Sequence, residues 1–222
     1  MPTQHFSDHS GRFEVVKHYF LGMTVSQPPG GVALCVVRRC KHYEYCGNPR
    51  KPVRYFRSAV YEVGYAERLP SGLTYPQIIE RVGDVLNQPV YGGEVKVAIN
   101  VTEVGRPLVG LCHAAKLFAT GLTVTTADTE VREDQHHHRI PQARLVGNIQ
   151  ALLHDEKLTI SKHLDGAEDL IRELANLRLH RTDSGRVRFE GLDRRKDMAT
   201  ALAVAVWSAM NWHETRVEEL RI

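Results

Sequence analysis

The sequence contains no apolar run near the roughly 20 residues that a bilayer-crossing helix needs, which excludes membrane spanning by a helix. Its opening, Met1-Pro2-Thr3-Gln4-His5, lacks the basic and apolar blocks of a secretory leader, so cytoplasmic residence is the expectation. Cysteine is scarce: Cys35, Cys40, Cys46 and Cys112 are too few and too unevenly spaced to read as a disulfide framework, and they are expected as reduced thiols. Cys40, His42 and Cys46 supply three soft donors without a nearby fourth to close a zinc site. The flanking Lys, Arg, Gly and Pro predict a polar connection there instead. A glycine-rich loop ending in Gly-Lys-Ser or Gly-Lys-Thr is missing, which removes ATP turnover from consideration. A large charge excess is missing too: 29 Lys and Arg stand against 26 Asp and Glu, a balance of +3 that does not by itself identify a nucleic-acid partner.

What is present is ordinary globular material. A hydrophobic fraction of 42% and 222 residues suffice for one sizeable core, and no repeat or low-complexity linker divides the chain. The first strands are expected at Val15-Val16 with Tyr19 to Leu21, at Val32 to Val37, and at Val53 to Phe56 with Ala59 to Val63. From Thr74 the period changes. Thr74 and Gln77 have the spacing of a capping box, and Ile78, Ile79, Val82, Val85 and Leu86 make a helical stripe that ends near Pro89. A strand at Val95 to Asn100, a helix bearing Leu108, Leu111, Ala115 and Phe118, and a strand at Leu122 to Thr126 follow. A helix then starts at Pro141 with Leu145, Ile149 and Leu152 inward, followed by a short strand at Leu158 to Ile160 and a helix using Leu164, Ala167, Ile171 and Leu174. The last helix, from Lys196, is apolar on more than one side between Ala199 and Trp207, so it is expected in the core or, second, beneath another subunit of a homo-oligomer. Alternating strands and helices in the later half predict an α/β fold with a partly parallel sheet.

Two basic runs are candidate phosphate contacts: Arg38, Arg39, Lys41, Arg50, Lys51, Arg54 and Arg57, with Tyr43, Tyr45 or Tyr55 available to stack on a base, and later Arg194 and Arg195 beside Lys196. His136, His137 and His138, near Glu133 and Asp134, offer metal donors only if their loop folds back; Arg132 and Arg139 would instead attract phosphate, and a polar loop is the simpler expectation.

Several ordered landmarks together resemble the RNase H-like nuclease domain of phage terminase large subunits, the motors that cut and package viral DNA. They are Gly22-Met23-Thr24-Val25-Ser26-Gln27, Tyr75-Pro76, Asn100-Val101-Thr102-Glu103-Val104-Gly105-Arg106-Pro107, the Pro141 to Ile160 interval, and Lys196 to Ala203. The resemblance implies an RNase H-like mixed sheet with early antiparallel strands and later crossover helices, spanning 15–212, with 1–14 as an N-terminal extension and 213–222 as a tail. It also implies a site in which carboxylates from strand ends and the last helix hold Mg²⁺ or Mn²⁺. By that resemblance the first acid falls on Thr24, the second on Asn100, and the final pair on Lys196 and Asp197. Threonine and asparagine lack the charge of a hard-cation ligand, and lysine cannot replace a carboxylate.

The leading expectation is therefore a catalytically reduced or inactive terminase-like domain that needs no metal and serves DNA binding or assembly with a phage packaging component. Two alternatives stand beside it. One is a Mg- or Mn-dependent nuclease with a rearranged set drawn from Glu103, Asp128 and Asp197; Glu103 and Asp197 are its residual catalytic candidates. The other is a protein-interaction module without direct DNA contact.

Overall fold

The chain threads its longest strands first. Gln4–Asp8 (β1) pairs with the start of Gly11–Val25 (β2), and β2, Val32–Cys46 (β3) and Val53–Leu69 (β4) form an antiparallel meander. The computed structural model describes residues 4–8, 11–26, 31–46, 53–92, 95–102, 106–181, 187–191 and 196–212. The strands are longer than local hydrophobicity predicts. The Cys40 to Cys46 stretch, expected as a polar connection, is strand, because β2 and β4 satisfy its backbone groups on both sides. A register shift beside Arg57 lets one continuous β4 replace the two segments read from the sequence. β1 also draws part of the expected 1–14 extension into the sheet.

The later half supplies the crossovers. Tyr75–Leu86 (α1) and a 3-10 turn, Pro89–Tyr91, lead to Val95–Asn100 (β5), which lies parallel to β2. Pro107–Ala114 (α2) leads to Ala119–Thr125 (β6), parallel to β5. A small edge follows: Val131–Arg132 (β7) and His137–Pro141 (β8), with β8 parallel to β6. Gln142–His154 (α3) crosses to Leu158–Ile160 (β9), which adds to the far edge parallel to β4. Among the described residues the sheet order is β7-β8-β6-β5-β2-β3-β4-β9, with β1 beside β2. Ala167–Ala175 (α4), the hairpin Leu177–Arg181 (β10) with Val187–Gly191 (β11), and Asp197–Asn211 (α5) complete the chain. Antiparallel strands thus precede parallel crossovers, as expected for an α/β RNase H-like mixed sheet.

Strand alternation splits the core in two. In β3, Ala33, Cys35 and Val37 face a layer built with α3, α4 and α5, while Val32, Leu34 and Val36 face α1 and α2. Within α1, Gln77 accepts the Thr74 backbone N–H at 2.9 Å, and Ile78, Val82 and Val85 are buried. The last helix is apolar all round because it is enclosed: α5 packs on β2, β3 and β5 and also against α3 and α4. Internal packing accounts for its composition without a second subunit.

Gly22 sets the depth of that packing. A Cβ there would stand 2.0 Å from the Ala201 carbonyl oxygen and 2.5 Å from the Ala205 nitrogen. Only hydrogen leaves room for α5 on β2. The side chain two residues on, Thr24, faces the same layer near the first turn of α5. One departure concerns α2, which ends at Ala114. Lys116 takes a positive φ of 61° and breaks the helical stripe, so Phe118 is 80% exposed in the turn rather than packed on a helix face.

Candidate functional site at the strand ends

Parallel pairing of β2 and β5 places Thr24 directly opposite Asn100, and α5 begins beside them. Thr24, Ser26, Asn100, Thr102, Lys196 and Asp197 line one cavity of about 210 Å³, closed further by Gln142, Thr200 and apolar side chains of α3 and α5. The four positions that the resemblance marks in sequence therefore meet in space.

Thr24 and Asn100 belong to a closed neutral network. Asn100 donates its side-chain amide to Thr24 Oγ1 at 3.1 Å. Its carbonyl oxygen accepts from the Thr102 backbone N–H at 3.1 Å and from the Thr102 hydroxyl at 2.6 Å. The Thr102 hydroxyl in turn accepts from the Val124 N–H at 2.9 Å, tying the network to β6. Thr24 is 1% exposed, so this bonding is how a buried hydroxyl avoids a desolvation loss. On the other wall Ser26 donates to Asp197 Oδ1 at 3.1 Å. Thr200 bonds the Lys196 carbonyl oxygen through both its hydroxyl, at 2.7 Å, and its backbone N–H, at 2.8 Å.

Glu173, on α4, was not singled out from the sequence. It is 6% exposed, pairs with Arg68, and accepts the Ala199 N–H at 2.9 Å, so it satisfies an N-terminal donor of α5 from a different helix. Burial pushes its carboxyl above the ordinary 4.5; the Ala199 N–H and Arg68 oppose that rise and the nearby Asp197 charge adds to it. The available signal was an acid at apolar spacing, Ala167, Leu170, Glu173.

A divalent cation does not fit the described donors. Asp197 is the only carboxylate among the described residues lining the cavity, and the Asn100 and Thr24 oxygens are already used within the protein. Among the described residues no group of three or more His, Cys, Asp or Glu side chains is arranged for a metal ion. Glu103 lies outside the described residues. Asp128 is exposed in the connection before β7 and does not line the cavity.

The described basic residues of the early run do not share one face, because β3 alternates. Arg39 is 2% exposed and spends its guanidinium on the Ala209 and Trp212 carbonyl oxygens at the end of α5, with the Phe20 and Trp212 rings nearby, so its expected phosphate role is corrected to helix anchoring. Its neighbour Arg38 faces the other side of the sheet and pairs with Glu62. Arg54 pairs with Glu14 at 2.9 Å while its guanidinium lies 3.6 Å from the Tyr43 ring centroid, and Arg57 pairs with Glu44. Lys41 is half-buried on β3. Arg50, Lys51, Arg194 and Arg195 lie outside the described residues. The His-rich stretch is part loop and part sheet edge: His136 lies in the turn between β7 and β8 while His137 and His138 lie in β8, His137 Nδ1 meets Asp134 at 3.0 Å, and Arg106 and Arg139 both pair with Glu133. Cys35, Cys40 and Cys112 are free and buried, and burial pushes the Cys112 thiol up to about 11.

The strand order is that of an RNase H-like fold, and solved structures of terminase nucleases share it. The large terminase nuclease from thermophilic phage G20c aligns with a TM-score of 0.57 at 17% identity, over 89% of this chain and 89% of that one. The same nuclease with bound magnesium gives 0.54 at 17% identity, covering 90% and 89%. Its cobalt-bound structure gives 0.50 at 16%, again covering 90% and 89%. No protein-family model matches the chain, and no curated protein matches it significantly. No helix among the described residues is long and apolar enough to cross a membrane.

Proposed function

We propose that this is a catalytically reduced or inactive terminase-type nuclease domain, retained for a DNA-associated binding or assembly role. One observation carries the reading: where the resemblance calls for a ring of acids, the cavity has Thr24, Asn100 and Thr102 bonded to one another, with Asp197 as the only described carboxylate in its lining. A two-metal site needs several carboxylate oxygens to hold its ions roughly 3.5–4 Å apart and offset their charge, and this donor set does not supply them.

The same substitutions suit an anionic backbone better than a cation. Lys196 brings a positive charge that offsets Asp197, and the remaining polar lining is hydroxyls and amides, groups that contact phosphate and sugar oxygens. A phage packaging or assembly component is the partner this reading implies, and cytoplasmic residence belongs to it.

The test pairs cleavage with binding. Supercoiled plasmid incubated with the full chain and Mg²⁺ or Mn²⁺ is expected to remain intact, while labelled duplex or single-stranded DNA binds with an affinity that falls as salt rises. Lys196→Gln is expected to reduce the slope of log affinity against log salt by about 0.7–0.9. Metal-dependent cleavage overturns the reduced-catalysis reading. Failure to bind DNA or any packaging component overturns the retained role.

A further inference from the structure

A second cavity, of about 560 Å³, opens at the other end of β5. It lies between the C-terminal end of α1, the start of β5 and the turn from α2 to β6, with Asn87, Gln88, Lys96, Lys116 and Phe118 around an apolar floor. Lys96 is four residues along β5 from Asn100, which puts the two cavities roughly 13 Å apart at the strand rise of about 3.3 Å per residue. This volume falls within the range of small-molecule sites.

Its rim combines a cation with an exposed aromatic face. Lys116 adopts a positive φ of 61° as the residue that ends α2: its N–H donates to the His113 carbonyl oxygen and the Leu117 N–H donates to that of Cys112, each at 2.9 Å. Phe118, two residues on, is 80% exposed; His113 lies beside its ring at 6.1 Å between centroids. Lys96 lines the cavity from β5, but its ammonium turns to the α5 side of the sheet, 5.7 Å from the Trp212 ring centroid. Among the described lining residues there are two lysines and no carboxylate.

We propose that this cavity binds a nucleoside 5′-phosphate, either free or as the terminal nucleotide of a single strand. Lys116 meets the phosphate, the open face of Phe118 stacks on the base, and the Asn87 and Gln88 amides supply donors and acceptors for polar edges. An acidic peptide would use the lysine but gain nothing from the aromatic face. The ring therefore favours a nucleotide.

Calorimetric titration of the full chain with thymidine 5′-monophosphate, with a 5′-phosphorylated thymidine hexanucleotide, and with hexaglutamate tests this. Lys116→Asn removes the charge but tolerates the positive φ, and Phe118→Leu stays apolar but cannot stack. Each is expected to weaken binding of the phosphate probes about fivefold or more while leaving the thermal midpoint unchanged. Equal affinity for both phosphate probes identifies the free nucleotide, and binding of the hexanucleotide alone identifies a strand end. The proposal is overturned if neither phosphate probe binds, if binding ignores both substitutions, or if hexaglutamate alone binds.

Discussion

Asn100 and Thr24 face each other across the parallel β2–β5 pair, and the asparagine amide donates to the threonine hydroxyl at 3.1 Å. Two carboxylates so placed would repel unless a cation lay between them; an amide and a hydroxyl attract without one. This difference makes the site testable by restoring charge.

The double substitution Thr24→Asp with Asn100→Asp is expected to lower stability by about 2 kcal/mol or more without metal, through like-charge repulsion and carboxylate burial. For a domain this size that corresponds to about 4–8 °C in thermal midpoint. Added Mn²⁺ should recover a substantial part of the loss in the variant and leave the native chain nearly unmoved. Scanning fluorimetry with and without Mn²⁺ reads both effects, and an equal Mn²⁺ response in the native chain would contradict the neutral-site description.

Gly22→Ala is expected to be strongly destabilising, by about 3 kcal/mol or more, because the new methyl meets backbone rather than a yielding side chain. Gly64→Ala has nothing within 4 Å of the added carbon and should shift the urea midpoint little. Equal midpoints for the two variants would show that α5 does not depend on this close approach.

Arg39→Ala is expected to cost about 2–4 kcal/mol, since it removes both a buried cation and the donors that hold the α5 carbonyls. Its effect on DNA affinity, measured at a temperature where the variant is folded, should be negligible. A large change in the salt slope with stability intact would return Arg39 to the phosphate-contact role read from the sequence.

Glu173 gives a pH signature with a defined sign. Its folded-state pKa lies above the ordinary 4.5, so the folded chain holds that proton more tightly than the unfolded chain does. Its stabilising contribution is present below 4.5 and is lost as pH rises through the raised folded value. The Glu173→Gln variant lacks this loss. Its stability relative to the native chain should rise across that window and then level off, as read from denaturation midpoints at successive pH values. A difference that falls as pH rises would mean that the charge of Glu173, held by Arg68, is favoured by the fold.

Local pattern made part of this legible. The Thr74 and Gln77 pair, the α3 face of Leu145, Ile149 and Leu152, and the short β9 strand obey spacing rules that act within a few residues. The extension of β3 through Cys46 did not, since polar residues remain in a strand when neighbours on both sides complete their hydrogen bonds. Phe118 was misplaced for a similarly nonlocal reason: its apolar spacing continued α2 after the backbone had already turned at Lys116.

For the candidate site, the sequence by itself determined residue chemistry. Threonine at position 24 and asparagine at 100 carry no charge in any fold, and that can be read from the sequence alone. Only the tertiary structure decided what those residues do with their oxygens and amides. It joined Thr24, Asn100 and Thr102 into one network, turned Arg39 inward to hold a helix end, and brought Glu173 from α4 to the first turn of α5. Such pairings link residues as much as 173 positions apart in the chain. They depend on parallel register and helix depth, which are set by packing across the whole sheet rather than by any local run of residues.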